Sequence, residues 1–206
     1  MAYVKRIVCF ANSYKTGGSC IAGKEVSGNG RGPWIRPVSP RPSQELSFFE
    51  YRYEGNASPK LLDIIDVPLL EAAPHEHQTE NHVISKGLWI KRGTLPWAEL
   101  DALRDQPEAL WANTASTKAG GLFDCMSPQD AAKFDYSLLL LKKEFVVEVG
   151  TSTWDGRTKR TYRGKFKHKG IKYSLKITDP VVLQVQGYRR LCIERGVPLP
   201  EPHRTL

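Results

Sequence analysis

Over the first seventy residues apolar positions come in short blocks bounded by Gly, Pro, Asn or Ser, a texture that predicts β-strands and tight turns. Residues 4–10 (VKRIVCF) predict a buried strand and residues 20–26 (CIAGKEV) a second. Gly23, inside the second, marks a bulge or a close approach of two backbones. Residues 27–32 (SGNGRG) read as a turn, and 34–38 (WIRPV) as a third strand closed by Pro37 and the turn at 39–42. Residues 48–53 (FFEYRY) suit a strand, while 45–51 suit a single helical turn. Residues 61–70 form a strongly apolar strand interrupted by Asp63, Asp66 and Pro68.

The pattern changes after Pro74. Residues 75–84 (HEHQTENHVI) are polar, and 96–111 put Trp97, Leu100 and Leu103 on one helical face before Pro107 splits the segment. Ser127 ahead of Pro128 predicts a capped short helix. Residues 137–149 (SLLLLKKEFVVEV) are one long strand, or two joined near Lys142 and Lys143. Asp179-Pro180 opens a helix expected to end near Arg195, with Gly196 at its C-cap and an irregular tail from 197 to 206. Each half holds a set of short strands. The expected architecture is mainly β: two small barrels in one compact unit, residues 1–74 and 75–196, with short helices and a C-terminal helix over about 180–195.

Residues 158–179 carry the strongest local signal. A two-residue turn at Lys169-Gly170 sets Phe166 opposite Tyr173 and Tyr162 opposite Ile177. The same register sets Lys167 against Lys172 and Arg163 against Lys176 on the other face. Directly opposed like charges destabilise a sheet, so several such pairs point to an anionic partner. A solvated basic face is the plainer alternative. The formal net charge is +8, unevenly spread. Residues 1–42 hold seven Lys/Arg and one acidic residue, 43–154 ten basic and seventeen acidic, and 155–179 nine basic and two acidic. Two basic blocks around an acidic middle suit a chain that presents one face to a polyanion.

No run of about 18 apolar residues occurs, so no membrane-spanning helix is expected. The first residues lack the form of a signal peptide, and cytoplasmic residence follows as the expectation. Cys9, Cys20, Cys125 and Cys192 show no CxxC spacing, which leaves reduced, mostly buried thiols. Within 11–24 (ANSYKTGGSCIAGK), Lys15, Lys24 and the Gly17-Gly18 pair make either an anion-contacting loop or an ordinary hairpin loop. Glu25 follows GxxxxGK where a phosphate-binding loop requires Ser or Thr. Trp34 and Arg36 share one side of a strand, an arrangement that stacks a base and neutralises its phosphate, or else a core Trp under an Arg. His75, His77 and His82 with Glu80 raise a metal site, against a turn fixed by side-chain hydrogen bonds. No nucleophile–base pair is recognisable, so no catalytic residue and no cofactor is expected.

Taken in order, several blocks resemble the bacterial dual-OB-domain family. They are Ala11-Asn12-Ser13 with residues 20–25, then 34–39, Asp63 to Pro68, His77-Gln78-x-Glu80-Asn81, Ser137-Leu138 and Thr178-Asp179-Pro180. The resemblance spans about 4–195 and implies two tandem OB-like barrels and a nucleic-acid-binding module, with no catalytic residues to carry over. The expected function is therefore a non-enzymatic module for nucleic acid, single-stranded DNA or RNA favoured, or for another polyanion. Its contacts would be Lys15, Lys24, Trp34, Arg36, Arg160, Arg163, Lys165, Lys167, Lys169, Lys172 and Lys176, with Tyr14 and Trp34 for stacking. A protein-interaction or nucleotide-sensing module on the same face is the alternative, and a metal-dependent enzyme on nucleic acid a third.

Overall fold

Alternation of buried and exposed positions begins at β1 (Tyr3–Lys15), which sends Ile7 and Cys9 fully inward. A computed structural model describes residues 2–15, 17–26, 32–111, 126–154 and 156–184, with the backbone alone at 14, 15, 152, 154 and 159. β1 runs antiparallel to β2 (Gly18–Glu25), and their register shifts between Cys9 and Ala11, opposite Gly23 and Ala22. A Cβ on Gly23 would stand 2.1 Å from the Val8 carbonyl oxygen, so the glycine permits the close approach its position suggested. β3 (Trp34–Val38) has the bounds read from the sequence.

Residues 45–51 settle the strand-or-helix ambiguity in favour of a helical turn. The Glu50 carboxylate accepts the Ser47 N–H at 2.7 Å and fixes the start of α1 (Phe48–Tyr51). β4 (Asp63–Ala72) pairs with β1 along one edge, and β5 (Asn81–Ile84) and β6 (Ile90–Thr94) follow one another along its other edge. β5 also pairs with β3, in parallel. The circuit β1-β2-β3-β5-β4 thus returns to β1 as a closed five-stranded barrel of the OB kind, with β6 appended. Ile21, Ile35, Leu46, Ile65, Val67, Leu69 and Trp89 fill it.

The first sheet ends at Thr94, past the boundary expected at residue 74. The polar residues 75–80 are the turn that leads into β5, the strand that closes the barrel, so charge patterning concealed a structural strand. Past β6 comes a 3-10 helix at Trp97–Leu103, which buries Leu103 and leaves Trp97 60% exposed, rather than a helix with both on one buried face. α2 (Pro128–Ala131) is capped as its sequence indicates: Ser127 Oγ accepts the Asp130 N–H at 3.1 Å.

Residues 137–145 are not strand. Leu140 N–H donates to Asp105 Oδ2 at 2.8 Å and Leu140 O accepts the Asp105 N–H at 2.9 Å, and strand structure returns only at β7 (Val146–Trp154). β7, β8 (Arg157–His168) and β9 (Ile171–Lys176) form an antiparallel meander, which is the second unit among the described residues. Asp179 Oδ1 accepts the N–H of Val181 at 2.8 Å and of Val182 at 3.0 Å, starting a helix over 180–184. The rest of that expected helix and the tail lie outside the described residues.

Candidate nucleic-acid interface

The β8–β9 turn has positive φ at both central residues, 46° at Lys169 and 87° at Gly170, the geometry that matches the twist of a two-residue hairpin. Its register pairs Phe166 with Tyr173, Lys167 with Lys172 and Arg163 with Lys176. Ile177 N–H donates to Tyr162 O at 2.8 Å, completing the pattern read from the sequence. One face carries Arg163, Lys165, Lys167, Lys172 and Lys176, and the other carries Tyr162, Phe166, Tyr173 and Leu175.

The basic groups on that face are not equivalent. Lys165 pairs with Glu148 at 2.7 Å, and Arg163 donates to Ser174 Oγ at 3.0 Å and Ser174 O at 2.6 Å. Lys167, Lys172 and Lys176 are exposed, and no acidic group among the described residues lies within ion-pair distance of them. Lys169 at the turn holds Glu108 at 2.6 Å, and this hydrogen bond lowers the pKa of the Glu108 carboxyl. Arg160 is exposed but belongs to the same face as Tyr162.

Residues 103–111 run as a strap from the barrel to the apolar face of the second sheet, part of which, at Phe166 and Leu175, lines a cavity of about 610 Å³ with Leu110 and Trp111. At the barrel end, Lys24 Nζ donates to Leu103 O at 2.8 Å and to Asp105 Oδ1 at 2.5 Å. Asp105 Oδ2 accepts from Trp34 Nε1 at 3.2 Å and from Leu140 N at 2.8 Å. At the far end His168 Nε2 bonds Pro107 O at 2.9 Å, Tyr173 OH donates to Trp111 O at 3.3 Å, and the Trp111 and Tyr173 rings meet edge-on at 4.8 Å. Arg36 is tied beside the strap to Glu80 at 2.9 Å and Ser137 Oγ at 2.7 Å.

The front-block residues therefore do not join the hairpin in one surface. Lys24 is 7% exposed and Arg36 8% exposed, each in an internal ion pair, and the cation over the Trp34 ring is Lys24, 5.6 Å from its centroid. The Gly-rich loop is built for packing as well. A Cβ on Gly18 would meet Leu46 O at 2.4 Å, and one on Gly17 would meet a Glu45 carboxylate oxygen at 3.0 Å, a poor neighbour for an anion. The side chains of Tyr14 and Lys15 lie outside the described residues.

A closed OB-like barrel, followed in one chain by a second antiparallel sheet, agrees with the one comparison that matched. The family model described as the dual OB-containing domain covers residues 5–194. The chain belongs to that family. No curated protein and no solved structure matched the chain. OB folds as a class bind nucleic acids and other ligands, on which side chains and loops rather than the barrel decide.

The histidine segment serves the barrel. His75 and Gln78 exchange backbone hydrogen bonds across a tight turn, and Gln78 Oε1 accepts from Asn81. His82 Nδ1 meets Tyr3 OH at 2.6 Å, and burial pushes the His82 pKa down. Among the described residues no three His, Cys, Asp or Glu side chains converge as a metal site would require. Cys9 is buried and its thiol is pushed up to about 12 by burial, Cys20 is partly buried and free, and Cys125 and Cys192 lie outside the described residues. No helix among the described residues is long and apolar enough to cross a membrane. A cavity of about 420 Å³ opens beside Trp34, with Lys5, His82 and Tyr136 in its wall. Sequence reasoning gave no contact role to Asp105, Ser137 or His168, although Ser137 lies in one of the resembling blocks, because their partners stand 35 to 101 residues away.

Proposed function

We propose that the protein binds nucleic acid through the lysine face of β8 and β9. The observation that carries this reading is the row Lys167, Lys172 and Lys176: exposed, on one face, and without acidic partners among the described residues. Holding Lys167 directly against Lys172 costs hairpin stability, and phosphate oxygens would offset that cost. Arg163 and Lys165 flank the row and extend it along β8. The aromatic residues of the hairpin lie on its other face and Trp34 is bonded to the strap, so the contact is with backbone phosphates and is indifferent to sequence. Single-stranded DNA or RNA is the favoured form, by analogy with other OB modules.

Titration of a labelled oligonucleotide at several salt concentrations tests this. Three lysines on a single strand give a log–log salt slope of about −2, steeper if Arg163 and Lys165 also engage. The double change Lys167→Glu and Lys172→Glu should flatten the slope by roughly 1.4 or more. Lys172→Glu alone should strengthen the hairpin, by creating an opposite-charge pair with Lys167, while weakening binding. Binding that ignores salt, or that survives the double change, would sink the proposal.

The cavity beside Trp34 favours a second reading, a pocket for a single nucleotide, and ligand length separates the two. A phosphate-tracking face binds longer strands more tightly; a pocket does not.

A further inference from the structure

Three strands leave an edge open among the described residues: β6, β7 and β9. Open edges template unwanted pairing, and proteins blunt them with charged residues, lysine above all, and with proline or bulges. β6 carries Lys91 and Arg92 and meets β4 across a register shift. β9 carries Lys172 and Lys176. β7, VVEVGTSTW, carries a single charge, Glu148, and neither proline nor a bulge. It is nine residues long and pairs with β8 through nine consecutive partners with no shift in register. Its apolar side chains are also unusually open, with Val146 70% and Val149 52% exposed. Among the described residues, β8 is the only strand that β7 pairs with.

We propose that β7 pairs antiparallel with β7 of a second copy of this chain, centred on Gly150. Full overlap of nine residues sets Gly150 against its own copy, Val149 against Thr151, Val147 against Thr153 and Glu148 against Ser152. β-branched residues then face β-branched residues, a favourable cross-strand pairing. The one charge in the strand faces an uncharged residue. Its twin stands four residues along, about 13 Å away. A slip that set Glu148 against itself would keep only five of the nine pairs. The strand is therefore self-complementary in its longest register, which favours a second copy over an unrelated strand.

This pairing places its two-fold axis through a residue pair, perpendicular to the sheet, so each face maps onto itself. The lysine faces of the two copies end on one side of a six-stranded sheet, with the two β8 rows about 14 Å apart, three strand spacings. The pairing itself does not rest on the nucleic-acid reading. Where both hold, association doubles the phosphate-binding surface.

Sedimentation equilibrium of the full chain, without nucleic acid, tests the pairing. The wild type should dimerise and dissociate on dilution. The double variant V149K/T151K sets lysine against lysine twice across the new edge, and should raise the dissociation constant about tenfold or more. V149K/T151E sets opposite charges together and should restore the dimer. A wild type that stays monomeric, or a V149K/T151K variant as dimeric as wild type, overturns the proposal.

Disulfide trapping covers the case in which V149K/T151K fails to fold. On oxidation G150C should give a dimer linked through position 150, identified by mass spectrometry of the joined peptides. E148C should not, because its twin is beyond disulfide reach. The added Cβ at position 150 would meet only the Thr161 hydroxyl, at 3.2 Å. Absence of the 150–150 link, or equal linking at 148, overturns the register.

Discussion

Replacing Asp105 by alanine should be among the most damaging single changes in this chain, although nothing in the local sequence marks the residue. Its carboxylate takes three donors: Lys24 Nζ at 2.5 Å, Leu140 N at 2.8 Å and Trp34 Nε1 at 3.2 Å. The Lys24 side chain is 8% exposed, and that of Asp105 24%. Removing one member of a fully buried pair costs about 3–5 kcal/mol, because the other charge is left without compensation. The partial exposure of Asp105 lets water reach the site, and Leu103 O still accepts from Lys24, so about 2 kcal/mol is a reasonable share for the charge. The two lost neutral donors add about 1 kcal/mol each. The expected cost is about 3–4 kcal/mol, read as a lowered midpoint in urea with Trp fluorescence and far-UV circular dichroism as paired probes. Lys24→Met combined with Asp105→Asn should lose less than Asp105→Ala alone, because no charge is stranded. A loss under about 1 kcal/mol for Asp105→Ala would refute the view that the strap is fastened by this carboxylate.

Asp66 gives the acid limb of stability a specific origin. Arg6 holds it by hydrogen bonds at 2.6 and 2.9 Å and Arg92 by one at 2.6 Å, which lowers its pKa against the opposing effect of burial. A carboxyl with a depressed folded-state pKa adds stability above its unfolded value of about 3.9, lost as pH falls through the folded value. Asp66→Asn should therefore flatten stability between roughly pH 5 and 2, and parallel urea-midpoint profiles for the two proteins would contradict this. Gly23→Ala should cost about 1–3 kcal/mol, since the Val8 carbonyl must move, and lower the melting temperature by several degrees. Gly93→Ala, with open space around the added carbon, is the matched control, and equal melting temperatures for the two variants would discredit the steric argument.

How far the sequence could be read depended on the distance between partners. The hairpin of β8 and β9 was legible to the level of individual pairs, because a two-residue turn and a period of two leave one register that separates Phe166 and Tyr173 from the lysines. β3, the caps at Ser127 and Asp179, and the close approach at Gly23 were legible for the same reason: each depends on a few neighbouring residues or on the absence of a Cβ. β5 was concealed, because it follows a polar turn and is only four residues long. Residues 137–145 looked like strand by composition, yet they lack a strand partner among the described residues, and propensity alone cannot supply one.

Sequence by itself determined that the chain is mainly β, that Arg163, Lys167, Lys172 and Lys176 gather on one face of a hairpin, and that the ordered blocks resemble the family whose model covers residues 5–194. Tertiary structure alone decided what becomes of the other basic block. Lys24, Trp34 and Arg36 have the composition of a phosphate-and-base site, but Asp105, Glu80 and Ser137 reach them from 44 to 101 residues along the chain and turn two of the cations inward. A charge is free to meet a ligand only where folding brings no opposite charge to it. Spacing along a strand reveals which lysines share a face, whereas neutralisation is a long-range event that only the packed molecule shows.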